Sequence, residues 1–337
     1  MNKNISPVLD KKEIALFDRL KKDYERFIAP GPIEKGLKKI QEGINWLTPQ
    51  KVKTLAKDSI DAAKQLQVIE LVMKQAGSGF SDFTRLTARI TVRRESILNS
   101  FKKEGYRFSS IEEICFARSY HAEKYVERGK FQNMALALGE GMLTGAPGLI
   151  GVPFNITLSF FLYFRATQNI AMHYGYDVHN DPSELQFAAD VTMASLEPSM
   201  LDKEGTVTGM IAKMMLSVEL SSLSHGLGRR TLSQMAERGG TELIYVQIRA
   251  MANKAAQKAL NKTSSKSIEA GIFKNLLEQI GKMIPKEATK KSIPFIGAII
   301  GGGCDSYLMS RVLYGSNLIY HKRFLTEKAS RIANLDK

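Results

Sequence analysis

The sequence predicts an all-α protein: a multi-helix bundle containing apolar helical hairpin segments broken by glycine and proline. Three observations lead there. Apolar residues recur at three- and four-residue spacing along most of the 337-residue chain, which lines them up on single helix faces. No stretch alternates apolar and polar residues long enough to form a half-buried strand. Cap residues and Gly/Pro breaks fall between the periodic segments rather than inside them.

The first helix is read in DKKEIALFDRLKKDYERFI, where Ile14, Phe17, Leu20, Tyr24, Phe27 and Ile28 form one stripe amid lysines and arginines. Pro30-Gly31-Pro32 ends it. Further helices are predicted at 34–46, 49–76, 81–103, 109–127 and 130–144. Gly77-Ser78-Gly79 and Ser109-Ser110 are read as breaks, the serines capping the helix that begins near Ile111. Further along, Asp181 is an N-cap with Pro182 at the first helical position and Glu184 three residues after the cap. Helices are predicted at 182–198, 206–224, 230–236, 241–262 and 266–283, then a glycine-rich apolar segment running into a long basic helix.

Between Glu140 and Arg165 lie 24 residues without a charge, interrupted by four glycines and two prolines. Pro147 and Pro153 each lack a backbone donor and disfavour helix in the residue before them, so Gly145–Pro153 is read as a bend. The helix from Phe154 to Phe164 rises only about 16 Å, against a bilayer core of about 30 Å. Extending it to Tyr176 places Arg165 mid-span, at about 2.5–3.5 kcal/mol. A simple spanning helix is therefore disfavoured, and an apolar hairpin over about 141–175 is the better description. Ala137, Gly141 and Gly145 share one face at four-residue spacing, as do Gly297 and Gly301. Glu140 stands at the threshold, Leu149 and Ile150 at the tip, and Phe160 and Phe161 in the returning helix that Pro153-Phe154 opens. The same pattern also fits tight helix packing inside a soluble bundle.

These residues resemble a known family, the bacterial EcsC-type proteins. The likeness rests on Glu140-Gly141 with Thr144-Gly145, the Gly148/Gly151/Pro153 bend, the apolar helix and Tyr174-Gly175-Tyr176-Asp177. It rests also on Ile293-Pro294-Phe295-Ile296-Gly297-Ala298 before the basic terminal helix. It covers roughly residues 105–330, so the chain is divided into an N-terminal basic amphipathic helical region, 1–104, and an EcsC-like helical domain, 105–330. The resemblance implies an all-helical, membrane-associated protein, sometimes encoded beside an ABC transporter, and implies no catalytic residues.

Charge is unevenly placed. The net charge of +14 divides into +9 over residues 1–130, −6 over 131–225 and +11 over 226–337. Basic flanks around an acidic, apolar middle fit an anionic partner, with lipid headgroups favoured over nucleic acid. Lys282, Lys286, Lys290 and Lys291, just before the second glycine-rich segment, are a candidate basic anchor. Two cysteines make no disulfide scaffold, and the N-terminus carries no secretory pattern. The expected location is cytoplasmic, on the inner face of the cell membrane.

Chemistry is sparse. No GxxxxGK[ST], GxSxG, HExxH or CxxC pattern occurs, and Gly226-Leu227-Gly228-Arg229-Arg230-Thr231 lacks the Walker spacing. His173, Asp177, His179 and Asp181 are metal-ligating types in one segment, but Gly175 and the capping Asp181 favour an ordinary polar loop. His121 and Glu123 sit two apart on a predicted helix and do not share a face, and Cys115 diverges from His121 as well. No cofactor or metal is expected. Two functions follow: a membrane-associated protein with a structural, regulatory or membrane-perturbing role, or a hydrolase whose inter-helix pocket draws on His121, His173 or Glu140.

Overall fold

The computed structural model describes residues 8–29, 93–129, 152–196, 207–216, 241–262, 268–283 and 305–335. Among them the chain is all-α, with no strand. Helix α1, Lys11–Ile28, opens on a reciprocal capping box. The Asp10 carboxylate accepts the Glu13 N–H at 2.8 Å, and the Glu13 carboxylate accepts the Asp10 N–H at 3.1 Å. The predicted stripe faces inward: Phe17, Leu20 and Tyr24 are buried, and Ile14, Phe27 and Ile28 pack against the core.

Helix α2, Arg94–Lys102, ends in a Schellman motif around Gly105 at φ 85°. The Tyr106 N–H reaches the Phe101 carbonyl and the Gly105 N–H that of Lys102, while the Phe101 and Tyr106 rings touch across the cap. The helix predicted over 109–127 is not continuous. A 3-10 turn, Glu112–Phe116, is followed by extended Ala117 and then by helix α3 over 119–129. Local spacing loses to two other demands. Glu113 turns back to accept from the Ser109 N–H and hydroxyl, and the backbone at Ala117 and Ser119 is bonded by Lys328 and Glu13.

Helix α4, Val152–His173, carries Pro153 in its first turn, where a missing N–H costs nothing. It stops at a second Schellman motif, with Gly175 at φ 81° and the Tyr176 N–H bonded to the Ala171 carbonyl. Helix α5, Pro182–Leu196, is capped by Asp181, which accepts from the Ser183 and Glu184 N–H groups at 2.9 and 3.4 Å. Then come α6, Val207–Leu216; α7, Thr241–Lys262; α8, Ile268–Met283; and α9, Asp305–Leu335. The helices predicted at 34–46, 49–76, 130–144 and 230–236 lie outside the described residues, as do Glu140, Gly141, Gly145, Leu149 and Ile150.

Helix α5 is the axis of the bundle. Every residue from Ser183 to Leu196 is buried, because α4, α6, α7, α8 and α9 all pack on it. The 31-residue α9 runs past it, touching α1, α4 and the 3-10 turn as well. One apolar cluster extends from Leu9 to Leu325, so α1 is part of the same core as the rest. Among the described residues no helix is long and apolar enough to cross a membrane.

Candidate functional site

A helix enclosed on all sides has no solvent face for its polar residues. Glu184, Gln186, Asp190, Thr192 and Ser195 of α5 are therefore all buried, and the neighbouring α9 buries Ser316, Asn317, Tyr320 and Arg323. Arg323 is the centre. Its Nη1 and Nη2 donate to Glu184 Oε2 and Oε1 at 2.6 and 2.8 Å, and its Nε donates to Glu327 at 3.1 Å. The guanidinium stacks 3.9 Å from the Tyr176 ring centre and 4.4 Å from that of Phe187. Burial disfavours its charge, but Glu184 and Glu327 outweigh burial and hold its pKa well above the ordinary value. At the rim Arg249 of α7 bonds Asp181 at 2.6 Å and approaches Glu184 at 3.7 Å. Ser183, Glu184, Phe187, Tyr245, Arg249 and Arg323 line a crevice that their own side chains fill.

One turn along α5 the environment changes. Asp190 accepts from Gln186 Nε2 at 3.3 Å, and its other oxygen has no hydrogen-bond partner among the described residues. Burial pushes its pKa up to about 7, with the Gln186 bond opposing. It is a carboxyl group that holds a proton through the acidic range. Behind it Thr167 Oγ1 lies 3.0 Å from both Thr192 Oγ1 and Ser316 Oγ, knitting α4, α5 and α9 together.

A second ionic centre joins the ends of the chain. The wholly buried Glu13 accepts from Arg118 at 2.9 Å, from Lys328 Nζ at 2.8 Å and from the Ser119 N–H at 2.8 Å. A third lies on α4, where Arg165 donates to Glu269 of α8 at 2.9 Å and Gln168 Nε2 to the same carboxylate at 3.0 Å. Arg165, which makes a membrane span costly, thus points into the bundle. Lys322 of α9 donates to the Met215 carbonyl of α6 and stands over the Phe17 ring. Burial pushes its pKa down to about 7, Lys21 adding to the effect and Asp18 opposing it.

Of the residues singled out in sequence, Phe160 and Phe161 are buried core, Phe161 edge-on to Phe273 of α8. Pro153 opens α4 as expected. Lys282 is in α8, and Lys286, Lys290 and Lys291 lie outside the described residues. Asp177 and Asp181 serve as turn and helix caps. His173 Nδ1 is 2.8 Å from the Asn169 carbonyl, and burial lowers its pKa. His121 is 3.0 Å from the Tyr106 hydroxyl and 4.0 Å from Glu104, while Cys115 is buried among core residues. No group of three or more His, Cys, Asp or Glu side chains is arranged for a metal among the described residues. The Arg323, Glu13 and Asp190 centres were not anticipated. Their one signal is the run His321-Lys322-Arg323 inside an otherwise apolar periodic segment, which reads as a basic helix but turns inward.

No curated protein and no solved structure matches the chain. The description of the EcsC protein family, by contrast, matches residues 11–325, taking in α1 and the N-terminal residues where the sequence offered no motif. With the all-helical architecture and nearly the whole chain covered, this protein belongs to the EcsC protein family.

Proposed function

We propose that this chain is a membrane-associated helical protein with a structural or regulatory role, held at an anionic surface by charge and by apolar contact. The observation that carries the reading is the uncharged run of 24 residues before Arg165. Residues 152–164 of that run form the first part of α4, where Phe160 to Phe164 are buried, and the Arg165–Glu269 pair fastens the helix to α8. A fastened helix gives an apolar segment a fixed base from which to press on lipid or on a membrane protein. The bidentate Arg323–Glu184 pair and the crevice beside it, which its own side chains occupy, support a scaffold over a catalyst at that place. The surplus of cations supplies long-range attraction to acidic headgroups.

Flotation tests this. The purified chain is expected to rise with vesicles containing phosphatidylserine, to rise less with phosphatidylcholine alone, and to be released by high salt. Absence of flotation with either vesicle would overturn the reading.

A further inference from the structure

The membrane reading leaves open which face meets the surface, and the described helices differ in what they present. On α1 the outward cations are interleaved with acids of the same helix: Arg19 and Arg26 pair with Asp23 and Lys21 with Glu25, while Lys11, Lys12 and Lys22 form no ion pair among the described residues. On α7 the exposed cations have no acid beside them on their own helix. From Leu243 to Asn261 there is no aspartate or glutamate. The buried side of α7 is Tyr245, Ile248, Ala252, Ala256 and Ala259, spaced three and four apart against the bundle.

At 3.6 residues per turn the opposite side is equally ordered. Gln247, Ala250, Lys254, Gln257, Lys258 and Asn261 lie across from the buried stripe, all exposed, with Val246, 47% exposed, beside them. Lys254 and Lys258 stand one turn apart within this face, and Arg249 lies at its border with the buried side. Lys254 and Lys258 form no ion pair among the described residues, unlike Arg249, which is held by Asp181. The outcome is an exposed face with two cations and no acid, on a helix packed against the central α5. Lysine side chains on such a face reach outward to headgroups on their long apolar stems.

We propose that the outer face of α7 is the docking face for an anionic lipid surface, with Lys254 and Lys258 as its headgroup contacts. The proposal rests on the membrane reading above. Charge complementarity selects the occupant: cations without acids beside them on their own helix, on a face with no base-stacking aromatic such as a nucleic-acid groove uses.

The test compares the full chain with Lys254→Glu/Lys258→Glu, and with Lys11→Glu/Lys22→Glu on the exposed side of α1 as a control of equal charge change. Each is floated with vesicles of phosphatidylcholine alone and of phosphatidylcholine mixed with phosphatidylserine. The α7 variant is expected to lose about thirtyfold or more in partitioning to the anionic vesicles. The α1 control is expected to lose much less, and all three to melt alike. Should the glutamates disturb folding, Lys254→Gln/Lys258→Gln replaces them, with a smaller loss expected in the same order. If the wild type floats and the α7 variant floats equally, or both variants lose equally, this face is wrong while the membrane reading stands. If the wild type floats on neither vesicle, or prefers duplex DNA to anionic vesicles, the membrane reading itself falls.

Discussion

Arg323 of α9 and Glu184 of α5 meet through two parallel hydrogen bonds, at 2.6 and 2.8 Å, with both side chains almost wholly buried. The pair joins residues 139 positions apart and fastens the first turn of the enclosed α5 to α9. Replacing a buried ion pair with apolar side chains is often neutral, whereas removing one partner strands a charge.

Arg323→Met is therefore expected to cost about 3–5 kcal/mol, read from denaturant midpoints, because Glu184 would keep only the more distant Arg249. Glu184→Met/Arg323→Met should recover a large part of that loss. A double variant as unstable as the single would mean that stacking on Tyr176 and Phe187, rather than charge pairing, holds the crossing.

Gly315 marks where α9 approaches α1 and α5 most closely. A Cβ there would lie 2.6 Å from Ser195 Oγ and 2.8 Å from the Phe27 ring. Alanine gains up to about 1 kcal/mol of helix propensity over glycine, but overpacking costs about 1–3 kcal/mol. Gly315→Ala is expected to lower the melting temperature, and Ser195→Ala/Gly315→Ala to restore part of it. A Gly315→Ala protein that melts above the wild type would show that the contact yields freely.

What the sequence revealed and what it hid divide along chain distance. The Asp181–Pro182 start, the limits of α7 and the inward stripe of α1 are set by neighbours within one or two turns, and each was legible. The hidden features depend on partners far away. Lys328 meets Glu13 across 315 positions, so the terminal helix that the sequence marks only as long and basic turns several of its cations into the bundle. The split of 109–127 has the same origin, since Ala117 is extended where its carbonyl accepts from Lys328, and the Ser119 N–H that opens α3 donates to Glu13. Gly315 escaped notice because a single glycine has no period to betray it.

Asp190 gives stability a pH slope in the acid range. Its pKa rises from 3.8 to about 7 on folding. Between those values the unfolded chain has released the proton that the native state keeps, so stability is full below about pH 4 and is lost as pH rises to about 7. Asp190→Asn removes the titration while keeping the shape. The variant is expected to gain on the wild type steadily from pH 4 to 7, by a difference on the order of 4 kcal/mol. Parallel melting curves for the two proteins across that range would show that water reaches the carboxylate.

Lys322 acts in the opposite sense and a different window. Its pKa falls from 10.5 to about 7 on folding, burial being the main cause. Between those values the unfolded chain binds a proton that the native state does not, so stability from this group rises with pH from about 7 to 10.5 and is lost as pH falls back. Lys322→Met gives up the bond to the Met215 carbonyl but removes the buried ammonium. The variant should therefore be the more stable protein at pH 6 and lose that lead as pH rises, the gap changing by roughly 4–5 kcal/mol. Because every other tyrosine and lysine titrates in both proteins, the difference between them isolates this one group. Denaturant midpoints at pH 6, 8 and 10 measure it. A constant gap at all three would mean that Lys322 stays charged in the fold, with the Met215 carbonyl and Asp18 sufficient to keep it so.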